Sequence, residues 1–151
     1  MTFPTDAGTA TPAANAISIL GTGGIATSGA GATVTIDGSA FNAFTWTVIT
    51  AATQALIASN GYIGNRGTNI TYTLPVTASV GDRFRITNLG IGLPVIAQNA
   101  GQSIRFTSST TTPGVGGSLT AISRYASIEL VCAVADTDFI VLSSESSWTI
   151  V

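Results

Sequence analysis

Histidine and lysine are both missing from this 151-residue chain. Without them there is no imidazole base, no Schiff-base amine, no phosphate-gripping lysine and no ordinary zinc site, so most routes to catalysis are closed. Charge of either sign is scarce: 8% of residues are charged against 45% hydrophobic, so solubility must come from hydroxyls, amides and exposed backbone. The five cations are arginines at positions 66, 83, 85, 105 and 124. They are too scattered to neutralise a phosphate backbone, and nucleic acid is not an expected partner. The one cysteine, Cys132, cannot close an intrachain disulfide, so cysteine usage does not report an oxidising compartment. No apolar run approaches the roughly 20 residues needed to cross a bilayer, and residues 1–6 form neither a basic leader nor an apolar one. A soluble protein without a membrane span is expected.

What the chain does contain is Thr, Ser, Gly, Ala and Val. Thr and Val favour strands and Gly, Asn and Asp favour the turns between them, so the composition predicts an all-β protein. Residues 1–40 form a compositional zone of their own, with Asp6 and Asp37 as its only charges. Its apolar residues come in short alternating pairs, Ile17 with Ile19 and Val34 with Ile36. Residues 21–31, which include Ile25, read as turn formers. Such pairs cannot bury themselves, so Ile17, Ile19, Ile25, Val34 and Ile36 are expected to pack on the rest of the chain or on a neighbouring copy. This zone reads as an extended β arm.

Residues 41–151 read as a head of about eight strands, a β-sandwich or jelly roll. Phe44, Trp46 and Val48 share one strand face opposite Thr45 and Thr47. Ile70, Tyr72 and Leu74 repeat the pattern before Pro75 stops the ladder. After a turn at 79–82, Phe84 and Ile86 point one way and Arg83, Arg85 and Thr87 the other. Further strands are expected at 93–97, 103–107, 127–134, 138–143 and 148–151. Residues 51–59 read as strand or loop.

Four motifs then stand out: residues 74–82, the run Ile96-Ala97-Gln98-Asn99-Ala100-Gly101-Gln102-Ser103-Ile104, Thr110-Thr111-Thr112, and Leu130-Val131-Cys132 ahead of Asp138-Phe139. Together they resemble a C-terminal domain of bacteriophage tail-fibre-like proteins, found also in prophage-like bacterial genes. Residues 17–36 are similar to the Gly/Thr-rich shaft segments of those proteins. The resemblance implies a homo-oligomer, a trimer, at the virion surface or outside the cell, whose head attaches to a bacterial surface glycan. The chain departs from the pattern at Leu93-Pro94, where an aromatic residue is expected, which weakens any sugar-stacking role for that loop. The alternative is a subunit of an extracellular homopolymeric filament, each arm adding a strand to the next copy.

Chemical candidates have plainer readings. The glycine clusters at 21–24 and 114–117 lack the following helix and the lysine of a phosphate loop, so they read as turns. Cys132 lies in the alternating set Ile128, Leu130, Cys132, Val134, which makes it a core thiol. Asp136-Thr137-Asp138 could offer oxygens to calcium, but such a site wants about six, and the same residues suit a turn. Asp82, Glu129 and Glu145 show no spacing that pairs them for glycoside hydrolysis. Neither enzyme activity, a metal nor a cofactor is expected. For sugar recognition the best segment is 60–67, read as a loop carrying Tyr62, Asn65 and Arg66, with Arg105, Tyr125 and Trp148 as further candidates. Tyr62 also fits a core or intersubunit aromatic. Arg83 and Arg85 suit an intersubunit ion pair or solvent.

Overall fold

The computed structural model describes residues 44–151 throughout and, before them, four strands: β1 (Phe3–Thr5), β2 (Gly8–Ala10), β3 (Ala26–Ala30) and β4 (Thr33–Asp37). Contacts divide the chain into two units, Met1–Ala43 and Phe44–Val151. In the first, β1 pairs antiparallel with β2, and β3 with β4 from Ala26↔Asp37 to Ala30↔Thr33. Strand β3 lies inside the stretch expected to be turns, because the β-branched residues of β4 supply a partner ladder that small residues do not advertise. Ile36 is exposed on β4. Val34 is placed in β4 by its backbone, and Ile17, Ile19 and Ile25 lie outside the described residues.

The second unit is all-β, with twelve strands rather than about eight. The seven-stranded sheet contains β5 (Thr45–Ile49), β7 (Asn60–Gly64), β9 (Arg83–Asn88), β11 (Ser103–Phe106), β12 (Ser109–Thr110), β14 (Ser127–Val134) and β15 (Asp138–Glu145). The five-stranded sheet contains β6 (Thr53–Ala55), β8 (Ile70–Thr73), β10 (Pro94–Ala97), β13 (Ser118–Ala121) and β16 (Trp148–Ile150). From β5 to β10 the chain alternates between sheets, so β5, β7 and β9 pair in parallel, as do β6, β8 and β10. Parallel neighbours need a crossover, and here each crossover is a strand of the opposite sheet. From β13 on, antiparallel pairs dominate, led by the β14–β15 hairpin.

The inner faces of the two sheets make one core. Tyr72, Phe84, Ile96, Ile104, Leu119, Leu130, Cys132 and Phe139 are fully buried. Aromatic pairs hold it together: Phe84 and Phe139 lie 6.0 Å apart, and Tyr62 meets Tyr72 of the other sheet at 6.1 Å. Such tilted contacts add about 0.5–1.5 kcal/mol each beyond area burial. Cys132 is a core thiol whose pKa burial pushes up. Among the described residues, no helix is long and apolar enough to cross a membrane.

Trp46 and Val48 share a face, as the alternation predicts, and it is the outer one, where both are exposed. One sequence expectation changes here. Residues 60–64 are not a loop: they form β7, between β5 and β9. Its glycines mark close packing rather than turns, since a Cβ at Gly61 would sit 2.5 Å from Trp46 Cε3 and one at Gly64 2.8 Å from Asn88 Oδ1.

Candidate functional site

Strand β9 gives the head two ends, one at Asp82 and one at Asn88. At the Asn88 end, segments 65–69, 89–93, 122–126 and 146–147 come together. Asn88 organises them: its buried side-chain Nδ2 donates to Gly90 O at 2.9 Å and to Gly92 O at 2.8 Å. The backbone of 89–93 then lies against 66–69, with Gly92 N–H donating to Arg66 O at 3.0 Å and Leu93 N–H to Asn69 Oδ1 at 2.9 Å. Position 90 must be glycine, since a Cβ there would lie 2.3 Å from Arg66 O.

Arg124 crosses from the neighbouring segment and donates through Nη2 to Leu89 O at 2.9 Å. Its guanidinium also lies 4.6 Å from the Tyr125 ring centre. Tyr125 has φ of 63°, the left-handed region, while Ala126 behind it is fully buried and accepts from Asn88 N–H at 3.0 Å. The fixed backbone thus turns the Tyr125 ring outward, 60% exposed, at a conformational cost of roughly 1–2 kcal/mol. Arg66 donates to Thr68 Oγ1 and Asn69 O within its own loop. Leu89, Ile91 and Ile122 are exposed beside these groups.

Of the residues picked from sequence, Asn65, Arg66 and Tyr125 meet at this end, and Tyr62 and Trp148 do not belong to it. The Tyr62 ring is 3% exposed and points into the core, where its hydroxyl accepts from Ile57 N–H at 2.8 Å. A saccharide cannot stack on it. The inward position follows from its register between Thr47 and Ile86. Trp148 is 8% exposed and lines the core from β16. Arg105 pairs with Asp138 at 2.7 Å, and Arg83 and Arg85 both reach Glu129 Oε1, so the partners of these three cations lie within the same chain. Arg124, Leu89 and Ile91 escaped sequence reading because only folding brings 89–93 beside 122–126. The one available signal was Arg-Tyr ahead of an alternating strand.

At the Asp82 end, the motif residues are committed to the protein itself. Gln98 Nε2 lies 2.6, 2.7 and 2.8 Å from the carbonyls of Gln102, Thr112 and Gly114, and Gln98 Oε1 accepts from Thr111 Oγ1–H at 2.6 Å. Gln102 Nε2 donates to Pro75 O at 2.7 Å and Asp136 O at 3.1 Å, and Asn99 Nδ2 to Leu74 O at 2.7 Å. The acidic turn is occupied likewise: Asp136 Oδ1 accepts from Ala78 N–H, and Asp138 from Ser103 Oγ–H and Arg105. These donors hold the Asp138 carboxyl below the usual range, the Ser103 hydroxyl first and Arg105 second. Among the described residues, no three His, Cys, Asp or Glu side chains gather as a metal site.

The Asn88 end therefore offers one aromatic ring, two planar cations and three aliphatic side chains on a rigid frame. That set suits contact with a hydroxyl-rich surface. No family model and no curated protein matches this chain.

Proposed function

We propose that this protein is a non-enzymatic, tail-fibre-like adhesion protein, assembled from several copies and displayed outside the cell or on a virion. Its head attaches to a bacterial surface glycan through the Asn88 end. The observation that carries this reading is the outward Tyr125 ring beside Arg124, held by a strained backbone against buried Ala126. The left-handed backbone that turns this ring outward is the ground for assigning Tyr125 a role other than stability. Asn65 and Arg66 supply further donors at the same end. Single sites of this kind bind weakly, and presentation of several copies raises attachment by avidity. For assembly, the support is the resemblance of residues 17–36 to Gly/Thr-rich shaft segments; Ile36, within that stretch, is exposed.

The test is paired. Light scattering of the purified full chain should give a mass of three copies. A monodisperse 15.2 kDa species would overturn assembly, and polymers growing with concentration would favour the filament. Attachment to immobilised bacterial surface polysaccharide should fall about tenfold or more in Tyr125→Ala, the equivalent of roughly 1.4 kcal/mol of total attachment energy. Unchanged attachment would remove the site.

A further inference from the structure

A second arrangement lies on the outer face of the seven-stranded sheet. Strand register places Trp46, Gly61, Arg85, Glu129 and Ser143 in one row across β5, β7, β9, β14 and β15. The next outward row includes Thr87 and Ser127. Gly61 has no side chain, and both Trp46 and Phe44 lean over it: a Cβ there would meet Phe44 Cε1 at 2.7 Å. Beside the indole opens a shallow depression of about 150 Å³, walled by Trp46, Arg85, Thr87, Ser127, Glu129 and Ser143.

The chemistry of this depression is mixed in a particular way. Trp46 is 47% exposed, too much for a core residue, and it is braced by an edge contact with Phe44 at 5.7 Å. Arg85 is held flat by Phe44, 4.6 Å from its ring centre, and by Glu129 Oε1 at 3.1 Å. Arg83 reaches the same Glu129 oxygen at 4.0 Å. Two guanidinium groups on one carboxylate leave a local excess of positive charge. Among the described residues, Arg85 Nε is buried with no hydrogen-bond partner, so the carboxylate does not satisfy the guanidinium completely.

We infer that this depression is a saccharide subsite for a single acidic pyranose ring. The apolar C–H face of the sugar lies on Trp46, its carboxylate meets Arg85, and its hydroxyls exchange hydrogen bonds with Glu129, Thr87, Ser127 and Ser143. An aromatic platform, a fixed planar cation and several short hydroxyl side chains are what a uronic acid requires; an aliphatic ligand would leave the polar groups unpaired. This subsite shares a ligand class with the loop-end reading and none of its residues, so the two fail separately.

The experiment uses the full chain carrying Trp148→Phe, which leaves Trp46 as the only indole, titrated with methyl glucuronide and followed by tryptophan fluorescence. A saturable change is expected that weakens at high salt, is about tenfold weaker in Arg85→Met and is unchanged in Tyr125→Ala. Ser143→Tyr, at an exposed position, fills the depression without touching the core and should abolish the change. The inference is overturned if no saturable change occurs, if the change survives Ser143→Tyr, if methyl glucoside binds as tightly, or if Tyr125→Ala removes it.

Discussion

At the Asp82 end of the head, Gln98, Asn99, Gln102 and Thr111 direct their amides and hydroxyl into buried or half-buried backbone carbonyls and amides. At the Asn88 end, Asn88, Asn69 and Arg124 hydrogen-bond the backbone of 89–93, while the side chain of Asn65 and the ring of Tyr125 lie at the surface. Both ends are glycine-rich turns with planar polar side chains, so composition does not tell them apart. The difference is where the backbone's unpaired groups fall. Where the sheets close over turns, stranded carbonyls must find side-chain donors. Where a buried asparagine, Asn69 and Arg124 already hold the turn, the side chain of Asn65 and the ring of Tyr125 face outward.

This contrast predicts a graded set of responses. The largest belongs to Tyr62, whose ring fills the core. Tyr62→Ala should lower unfolding free energy by about 3–5 kcal/mol, measured by urea denaturation. A loss under about 1 kcal/mol would return the ring to the surface group and break the comparison.

Gln102→Ala should come next, since Gln102 is 1% exposed and satisfies the Pro75 and Asp136 carbonyls together with Asn99 N–H. With stranded buried groups costing roughly 1–3 kcal/mol each, a loss of about 3 kcal/mol is expected in the same assay. A neutral result would mean that the Asp82 end is not a clamp.

Asp138 sharpens the comparison through pH. Its carboxyl is held below the ordinary range in the folded protein, so its stabilising effect is complete above the unfolded value of about 3.9 and is lost as pH falls through the lower folded value. Thermal melts should therefore show stability falling on acidification below about pH 4. Asp138→Asn should lower stability at neutral pH and flatten that acid limb. An acid limb of equal slope in the variant would show that other carboxylates govern it.

The smallest effect belongs to the exposed end. Tyr125→Ala should change unfolding free energy by no more than about 0.5 kcal/mol, because the ring is exposed and Cβ keeps the same backbone conformation. A drop of several kcal/mol would make Tyr125 a structural residue and erase the difference between the ends.

Strands with strict alternation were legible from sequence. Residues 127–134 read as a strand with the observed bounds, and of the two faces the alternation separates, those of Ile70 with Tyr72 and of Phe84 with Ile86 are the buried ones. Strand β7 was not legible, because Asn60, Gly61 and Gly64 carry turn chemistry that the packing of Trp46 and Asn88 overrides. The surface at Asn88 was legible only in pieces: Asn65, Arg66 and Tyr125 could be named, but no local pattern links them to Leu89 or Arg124.

Composition and period-two alternation were enough to establish an all-β chain, because β-branched residues on a pleated backbone act through neighbours two positions apart. They also separated the two sides of most strands. They could not say which side faces inward when both are mildly apolar, as with Trp46 and Thr47, since burial depends on the partner sheet. Nor could they show that β5, β7 and β9 run parallel, or that Gln98 answers Thr111 while Arg124 answers Leu89. Those choices join residues far apart in sequence, and only chain reversal between the two sheets brings them within hydrogen-bonding distance.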